Sequence, residues 1–263
     1  MKSVTVSSVD VGRGQPLVFV HGFPFSRGVW QKQIDAFQSS HRVIAPDLRG
    51  FGESPSQPGP TSMAQYAADL HALLQQLGTG PVVLVGHSMG GYVALAFARQ
   101  FPELLRGLVL VSTRAGQDAA EAAAGRRAMA AKVKADGVRV LIDAMAPKML
   151  ATGDRDPVMV EQVRGLMAGT NPEGAIAALL GMADRPDAVA LLGRIAAPTL
   201  VITGADDTVI PPAESDKLAQ AIRGAQLHVI PRAGHLVAFE QPEAFNRVLK
   251  EWLIRTDPAA RTK

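Results

Sequence analysis

Apolar residues recur along this chain in short runs broken by turn residues. Val4 to Val11 alternates apolar and polar positions as a half-buried strand should, and Gly12-Arg13-Gly14-Gln15 turns it into Leu17 to Val20. Val29 to Phe37 predicts a short helix, and Arg42-Val43-Ile44-Ala45 a brief strand ended by Pro46. Met63 to Leu77 has helical periodicity and stops at Gly78, a suitable residue just past a helix end. Further strands are predicted at Val82 to Val85, Leu108 to Val111, Leu200 to Ile202 and Gln226 to Ile230. Helices are predicted at Gly91 to Ala98, about Ala213 to Ile222, and Pro242 to Ile254. Continuous apolar strands alternating with helices describe an α/β fold, with a mostly parallel central sheet and helices on both faces.

From about Arg114 to Asp184 the strand runs disappear and Ala-rich helical segments follow one another. Asp156-Pro157 and Asn171-Pro172-Glu173 each offer an N-cap residue followed by proline in the first helical position. An all-helical insert between two sheet segments predicts a small helical cap over the C-terminal edge of the sheet. The expected division is 1–113 and 191–263 for the core, with 114–190 as the cap. No Phe, Trp or Tyr occurs from Pro102 to Ala238, whereas Met129, Met145, Met149, Met159, Met167 and Met182 all do. Flexible methionines can fill a helical core and can line a pliable apolar pocket. Apolar contacts and broad, shallow selectivity are therefore expected of the cap.

The chemistry gathers at the C-terminal ends of the predicted strands. Ser88 lies in Gly86-His87-Ser88-Met89-Gly90, after one strand and before a helix. A sharp strand–turn–helix passage lifts a hydroxyl out of the sheet edge above a helix N-terminus. A serine hydroxyl needs a base to take its proton. His235 follows the last strand and precedes the last helix, so it suits that role better than His21, His41, His71, His87 or His228. The base in turn needs a carboxylate, which Asp206 or Asp207 supplies after the strand Leu200 to Ile202. Backbone N–H groups of Met89 and of Phe23, in Val20-His21-Gly22-Phe23-Pro24, are placed to stabilise an oxyanion.

Composition narrows the rest. A chain of 263 residues that is 47% hydrophobic can bury a full core. The net charge of +3 comes without clustered Lys/Arg and aromatics, which argues against nucleic-acid binding. Zero cysteines exclude disulfides, thiolate metal sites and a cysteine nucleophile. No signal-peptide core or run of 18 apolar residues is present, so no membrane association and a cytoplasmic location are expected. There is no metalloprotease His/Glu spacing and no dinucleotide fingerprint after a strand, so no metal and no cofactor are expected. Monomer and homo-oligomer stay open.

Taken together, His21-Gly22-Phe23-Pro24 with Trp30, Asp47 to Ser54, Gly86 to Gly91, Gly204 to Pro211, and Gly234-His235 with Glu240 and Pro242 resemble the α/β-hydrolase family. The resemblance implies the α/β-hydrolase fold and, from the position of the acid between Gly204 and Pro211, selects Asp207. It leaves the Asp47-to-Ser54 loop a structural part. The short cap and Asn171-Pro172-Glu173-Gly174 look closest to small esterases and to 3-oxoadipate enol-lactonase-like enzymes. The expected function is a serine hydrolase acting on carboxylic esters or small lactones through an acyl-enzyme. Ser88 argues against epoxide hydrolases and haloalkane dehalogenases, which carry aspartate there. Cofactor-free perhydrolases, C–C bond hydrolases and slow small-ligand receptors on the same fold keep the serine set and stay as alternatives.

Overall fold

Each of the apolar runs becomes a strand of one sheet. The computed structural model describes residues 4–152 and 157–256. Its strands are β1 (Ser8–Val11), β2 (Pro16–Val20), β3 (Arg42–Pro46), β4 (Val82–His87), β5 (Leu105–Val111), β6 (Thr199–Gly204) and β7 (Gln226–Ile230). They lie in the order β1-β3-β2-β4-β5-β6-β7. Only the β1–β3 pair is antiparallel. Successive side chains of a strand point to opposite faces, so one apolar run feeds two cores. Val18, Val20, Leu84, Leu108, Leu110 and Val201 pack on one side, against α2 (Met63–Gln76) and α3 (Met89–Gln100). Leu17, Phe19, Val83, Val85, Val109 and Val111 pack on the other, against α1 (Gln31–Phe37) and α11 (Pro242–Thr256). Phe245, Leu249, Trp252 and Leu253 form the buried stripe of α11 at helical spacing.

The predicted elements differ from these mainly at their ends. The first strand starts at Ser8 rather than Val4, because side chains take the place of ladder partners: Val4 N–H donates to Asp69 Oδ1 (3.2 Å) and Ser7 N–H to Ser54 Oγ (2.8 Å). The helix expected from Val29 begins as a 3₁₀ turn at Arg27–Trp30. β5 starts three residues before Leu108 and runs through Gly107, where a Cβ would stand 2.8 Å from the Trp252 ring.

Between β5 and β6 the described residues contain α4 (Ala120–Asp136), α5 (Arg139–Met145), α6 (Pro157–Ala168), α7 (Pro172–Ala183) and α8 (Val189–Leu192), and no strand. Asn171 caps α7, its side chain accepting from the N–H groups of Glu173 (2.9 Å) and Gly174 (3.5 Å). The corresponding Asp156 lies outside the described residues, although α6 begins at Pro157. This helical segment is tied to loops leaving the C-terminal ends of the strands. Thr170 Oγ1 donates to the Pro24 carbonyl (2.6 Å), Leu236 N–H to Met149 (2.9 Å), and Thr61 N–H to Ala177 (3.0 Å). It therefore covers the sheet edge at which the candidate chemistry collects. α9 (Pro212–Ala221) and the single turn α10 (Val237–Glu240) complete the chain order.

Candidate active site

Ser88 stands between β4 and α3 with φ 53° and ψ −114°, a backbone conformation that costs an L-residue energy. Its neighbours hold it there. Ser88 N–H donates to the Val111 carbonyl (2.9 Å), and its carbonyl accepts from Gly91 N–H (2.9 Å) and Thr113 Oγ1 (2.8 Å). The glycines on either side are steric necessities: a Cβ on Gly86 would strike the Gly90 carbonyl, and one on Gly90 the carbonyls of Val20 and His21. The start of α3 thus rests directly on the end of β2.

His235 reaches this serine from the loop after β7. Its Nε2 is 2.9 Å from Ser88 Oγ and its Nδ1 2.9 Å from Asp207 Oδ2. An ionised carboxylate only accepts, so Nδ1 carries the proton and Nε2 presents a lone pair to the serine hydroxyl. Burial pushes the Asp207 carboxyl up, but the bonds from His235 and from the Ile210 and Val209 N–H groups outweigh it and hold the group below its usual range. Asp206 is exposed, and its backbone N–H donates to the Ala233 carbonyl (2.9 Å). The structure therefore brings Ser88, His235 and Asp207 together and leaves Asp206 outside.

Of the two expected oxyanion donors, Phe23 borders the same pocket as Ser88 and His235, while Met89 opens α3. Among the described residues neither backbone N–H is taken up by a protein acceptor. The Asp47-to-Ser54 loop is occupied structurally. Asp47 accepts from Arg27 N–H (2.8 Å), Arg27 Nη1 (2.6 Å) and Glu53 N–H (3.0 Å), and Arg49 grips Asp69 with two bonds of 2.7 and 2.6 Å. Glu240 was visible in sequence without a role. Its carboxylate accepts from Gly234 N–H (2.6 Å) and Ala151 N–H (2.9 Å), tying the His235 loop to the helical segment.

The pocket at Ser88 has about 70 Å³ of free space. Met145 and Met182 line it, whereas Met149 and Met167 are buried in the core with Phe25 and Trp30. Beside the apolar contacts expected of the cap, Arg114 and Arg126 also border the pocket. Elsewhere in the helical segment, Arg127 pairs with Asp184 (2.5 Å), and Arg164 (2.7 Å) and Arg139 (3.7 Å) pair with Asp143. Arg155 lies outside the described residues. A larger cavity of about 360 Å³ lies beyond Tyr92, between the start of α2, α3 and the end of α7, without Ser88 or His235 in its wall. Among the described residues no group of three or more His, Asp or Glu could hold a metal ion, and no helix is long and apolar enough to cross a membrane.

Two further histidines lie under the site as neutral, fully buried groups. His87 Nε2 donates to the His235 carbonyl (2.9 Å), and burial, followed by the neighbouring His235, lowers its pKa to about 3. His21 Nε2 accepts from Leu48 N–H (2.9 Å) while Nδ1 donates to the Gly22 carbonyl (2.9 Å), and burial lowers its pKa to about 4. Unfolding frees both rings to titrate near 6.5, so the unfolded chain binds more protons between pH 6.5 and the folded values. Stability is therefore complete above about pH 6.5 and falls as pH drops through that window. Between pH 7 and 5 the loss is about 2 kcal/mol per histidine. Urea unfolding at the two pH values measures it. His87→Gln, which keeps a donor for the His235 carbonyl, should remove its share, and an unchanged slope would contradict the assignment.

Residues 15–242 match the family model described as the alpha/beta hydrolase fold. The chain is 31% identical over 236 residues to 3-oxoadipate enol-lactonase 2 of Acinetobacter baylyi, covering 89% of this chain and 86% of that protein. It is 34% identical over 267 residues to 2-hydroxy-6-oxo-2,4-heptadienoate hydrolase of Pseudomonas putida, covering 94% and 92%. A malate-bound thermophilic esterase from Thermogutta terrifontis superposes with a TM-score of 0.93 at 43% identity, covering 95% of this chain and 93% of that one. With a central sheet that is parallel but for one edge strand, and a family match spanning most of its length, the chain belongs to the α/β-hydrolase fold family.

Proposed function

We propose that this protein is a serine hydrolase that cleaves carboxylic esters or small lactones through an acyl-enzyme. The observation that carries the reading is the continuous relay from Ser88 Oγ to His235 Nε2 and from His235 Nδ1 to Asp207, each link 2.9 Å. In this reading Ser88 Oγ attacks the substrate carbonyl as its proton passes to Nε2. Asp207 stabilises the imidazolium and keeps the ring in the required tautomer. The N–H groups of Phe23 and Met89 receive the oxyanion, each worth about 10² to 10³ in rate. Collapse of the tetrahedral intermediate expels the alcohol, protonated by His235. A water molecule, activated by the same histidine, then releases the acid and restores Ser88. Residues 114–190 act as the cap that shapes the acyl pocket. Support comes from the esterase and enol-lactonase likenesses. Hydrolysis of a C–C bond is the second reading, favoured by the 34% identity to the heptadienoate hydrolase, since one serine relay serves both reactions.

A p-nitrophenyl phosphonate tests the reading. Intact-mass spectrometry is expected to show one adduct, absent in Ser88→Ala, on an enzyme that turns over many equivalents of p-nitrophenyl acetate. Labelling elsewhere, or release of a single equivalent without turnover, would overturn it.

A further inference from the structure

Four charged side chains meet beside the serine pocket. Asp118 is almost fully buried, and three guanidiniums converge on it. Its Oδ1 accepts from Arg114 Nη2 (2.6 Å) and Arg185 Nη2 (3.3 Å), and its Oδ2 from Arg126 Nε. One carboxylate facing three guanidiniums leaves two positive charges in excess. Among the described residues no second acid pairs with any of the three.

The three arginines spend their donors differently. Arg185 is turned inward: it also donates to the carbonyls of Gly116 (2.6 Å) and Ala115 (3.3 Å) and lies over the Tyr92 ring at 3.8 Å. Its work is structural. Arg126 has, beyond Asp118, only the Met182 sulfur at 3.4 Å, a weak acceptor. Arg114 donates to Asp118 through Nη2 and interacts with the Tyr92 hydroxyl, and its Nε, like that of Arg185, is buried without a partner. A guanidinium has five N–H donors, so both residues keep several unspent. These two, and not Arg185, line the pocket that holds Ser88 and His235. Arg114 and Arg126 thus set two guanidiniums, with one shared carboxylate between them, in the wall of a small pocket beside the candidate nucleophile. An anion there would accept from two arginines already oriented by Asp118, where low dielectric strengthens the attraction.

We infer that Arg114 and Arg126 form a carboxylate-binding subsite, so that favoured substrates are esters or lactones bearing a second, ionised carboxylate. The inference rests on the serine-hydrolase reading for its chemistry and on the arginine geometry for its ligand. A pocket of about 70 Å³ places that carboxylate within a few bonds of the scissile carbonyl.

Two measurements test it, one independent of turnover. Calorimetric titration with succinate, against neutral succinamide as control, is expected to show binding to the wild type. Binding should weaken about 10- to 100-fold in Arg126→Gln and in Arg114→Gln, the range of a lost charge-assisted bond, and partly recover in Arg126→Lys. Hydrolysis in a pH-stat then compares monoethyl succinate with ethyl butyrate, and acetoxyacetate with ethyl acetate, so that the carboxylate lies on the acyl or the alcohol side. The kcat/KM ratio is expected to favour the charged member of at least one pair by about tenfold or more, and to fall by a similar factor in the glutamine variants. Equal ratios in both pairs, or succinate binding that ignores both arginines, would overturn the subsite. Turnover of neutral esters without succinate binding strikes the subsite alone. Succinate binding without turnover of any ester strikes the hydrolase reading and leaves the subsite standing.

Discussion

Ser88→Ala is expected to lower kcat for p-nitrophenyl acetate by about 10⁴ to 10⁶, with binding of substrate little changed. The loss is this large because the relay acts as a unit. Without Oγ, the lone pair on His235 Nε2 has no proton to take, and neither Asp207 nor the oxyanion donors can supply a nucleophile. Ser88→Gly should be as inactive yet behave differently in stability. At φ 53° a Cβ is strained, and glycine removes that strain while gaining freedom in the unfolded chain. Relief of strain wins at a positive φ, so Ser88→Gly should exceed Ser88→Ala by about 1 kcal/mol in urea unfolding. An alanine variant that keeps activity within about tenfold of wild type would remove Ser88 from the mechanism. A glycine variant less stable than the alanine one would show that the turn stores no strain.

The parts of this molecule legible in its sequence are those set by local pattern. Leu17 to Val20, Val82 to Val85 and Leu200 to Ile202 read as strands because a parallel sheet covered on both faces has no polar alternation to obscure them. Ser88 and His235 were identifiable because each lies between an apolar run and a helix, and topology alone sends such positions to one sheet edge. Asp206 and Asp207 could not be separated by pattern, being adjacent loop residues of one type. Their difference arises only in the folded loop, where Asp206 is exposed and bonds to Ala233 through its backbone N–H while the Asp207 carboxylate faces His235. The arginines were hidden for a deeper reason. Arg114 follows β5, Arg126 lies in α4 and Arg185 follows α7, and nothing local links them. They converge because Asp118, an ordinary acid in the irregular segment before α4, becomes buried where those three segments meet. Glu240 is a similar case, since its acceptors serve backbone groups at positions 151 and 234 that only the folded chain brings near.

Asp207→Asn is expected to reduce kcat about 10⁴-fold, whereas Asp206→Asn should stay within about threefold of wild type. The contrast follows from hydrogen-bond direction. Asp207 Oδ1 accepts from the N–H groups of Val209 and Ile210, both at 2.9 Å, and Oδ2 faces His235 Nδ1. An asparagine must place its carbonyl oxygen toward the two backbone donors, since an amide NH₂ there would meet N–H against N–H. Its NH₂ then points at His235 Nδ1 and donates where the carboxylate accepted. That selects the tautomer with the proton on Nε2, which faces Ser88 Oγ and can no longer take its proton. The fold changes little, because the same oxygen still caps the same backbone donors. Asp206 is exposed and bonds to Ala233 through its backbone, so an amide there alters neither the ring nor the loop. Steady-state kcat for both variants, with thermal unfolding as the control for folding, decides the matter. If Asp206→Asn were the more damaging change, or if Asp207→Asn lost only about tenfold, the carboxylate orienting His235 would have to be sought elsewhere.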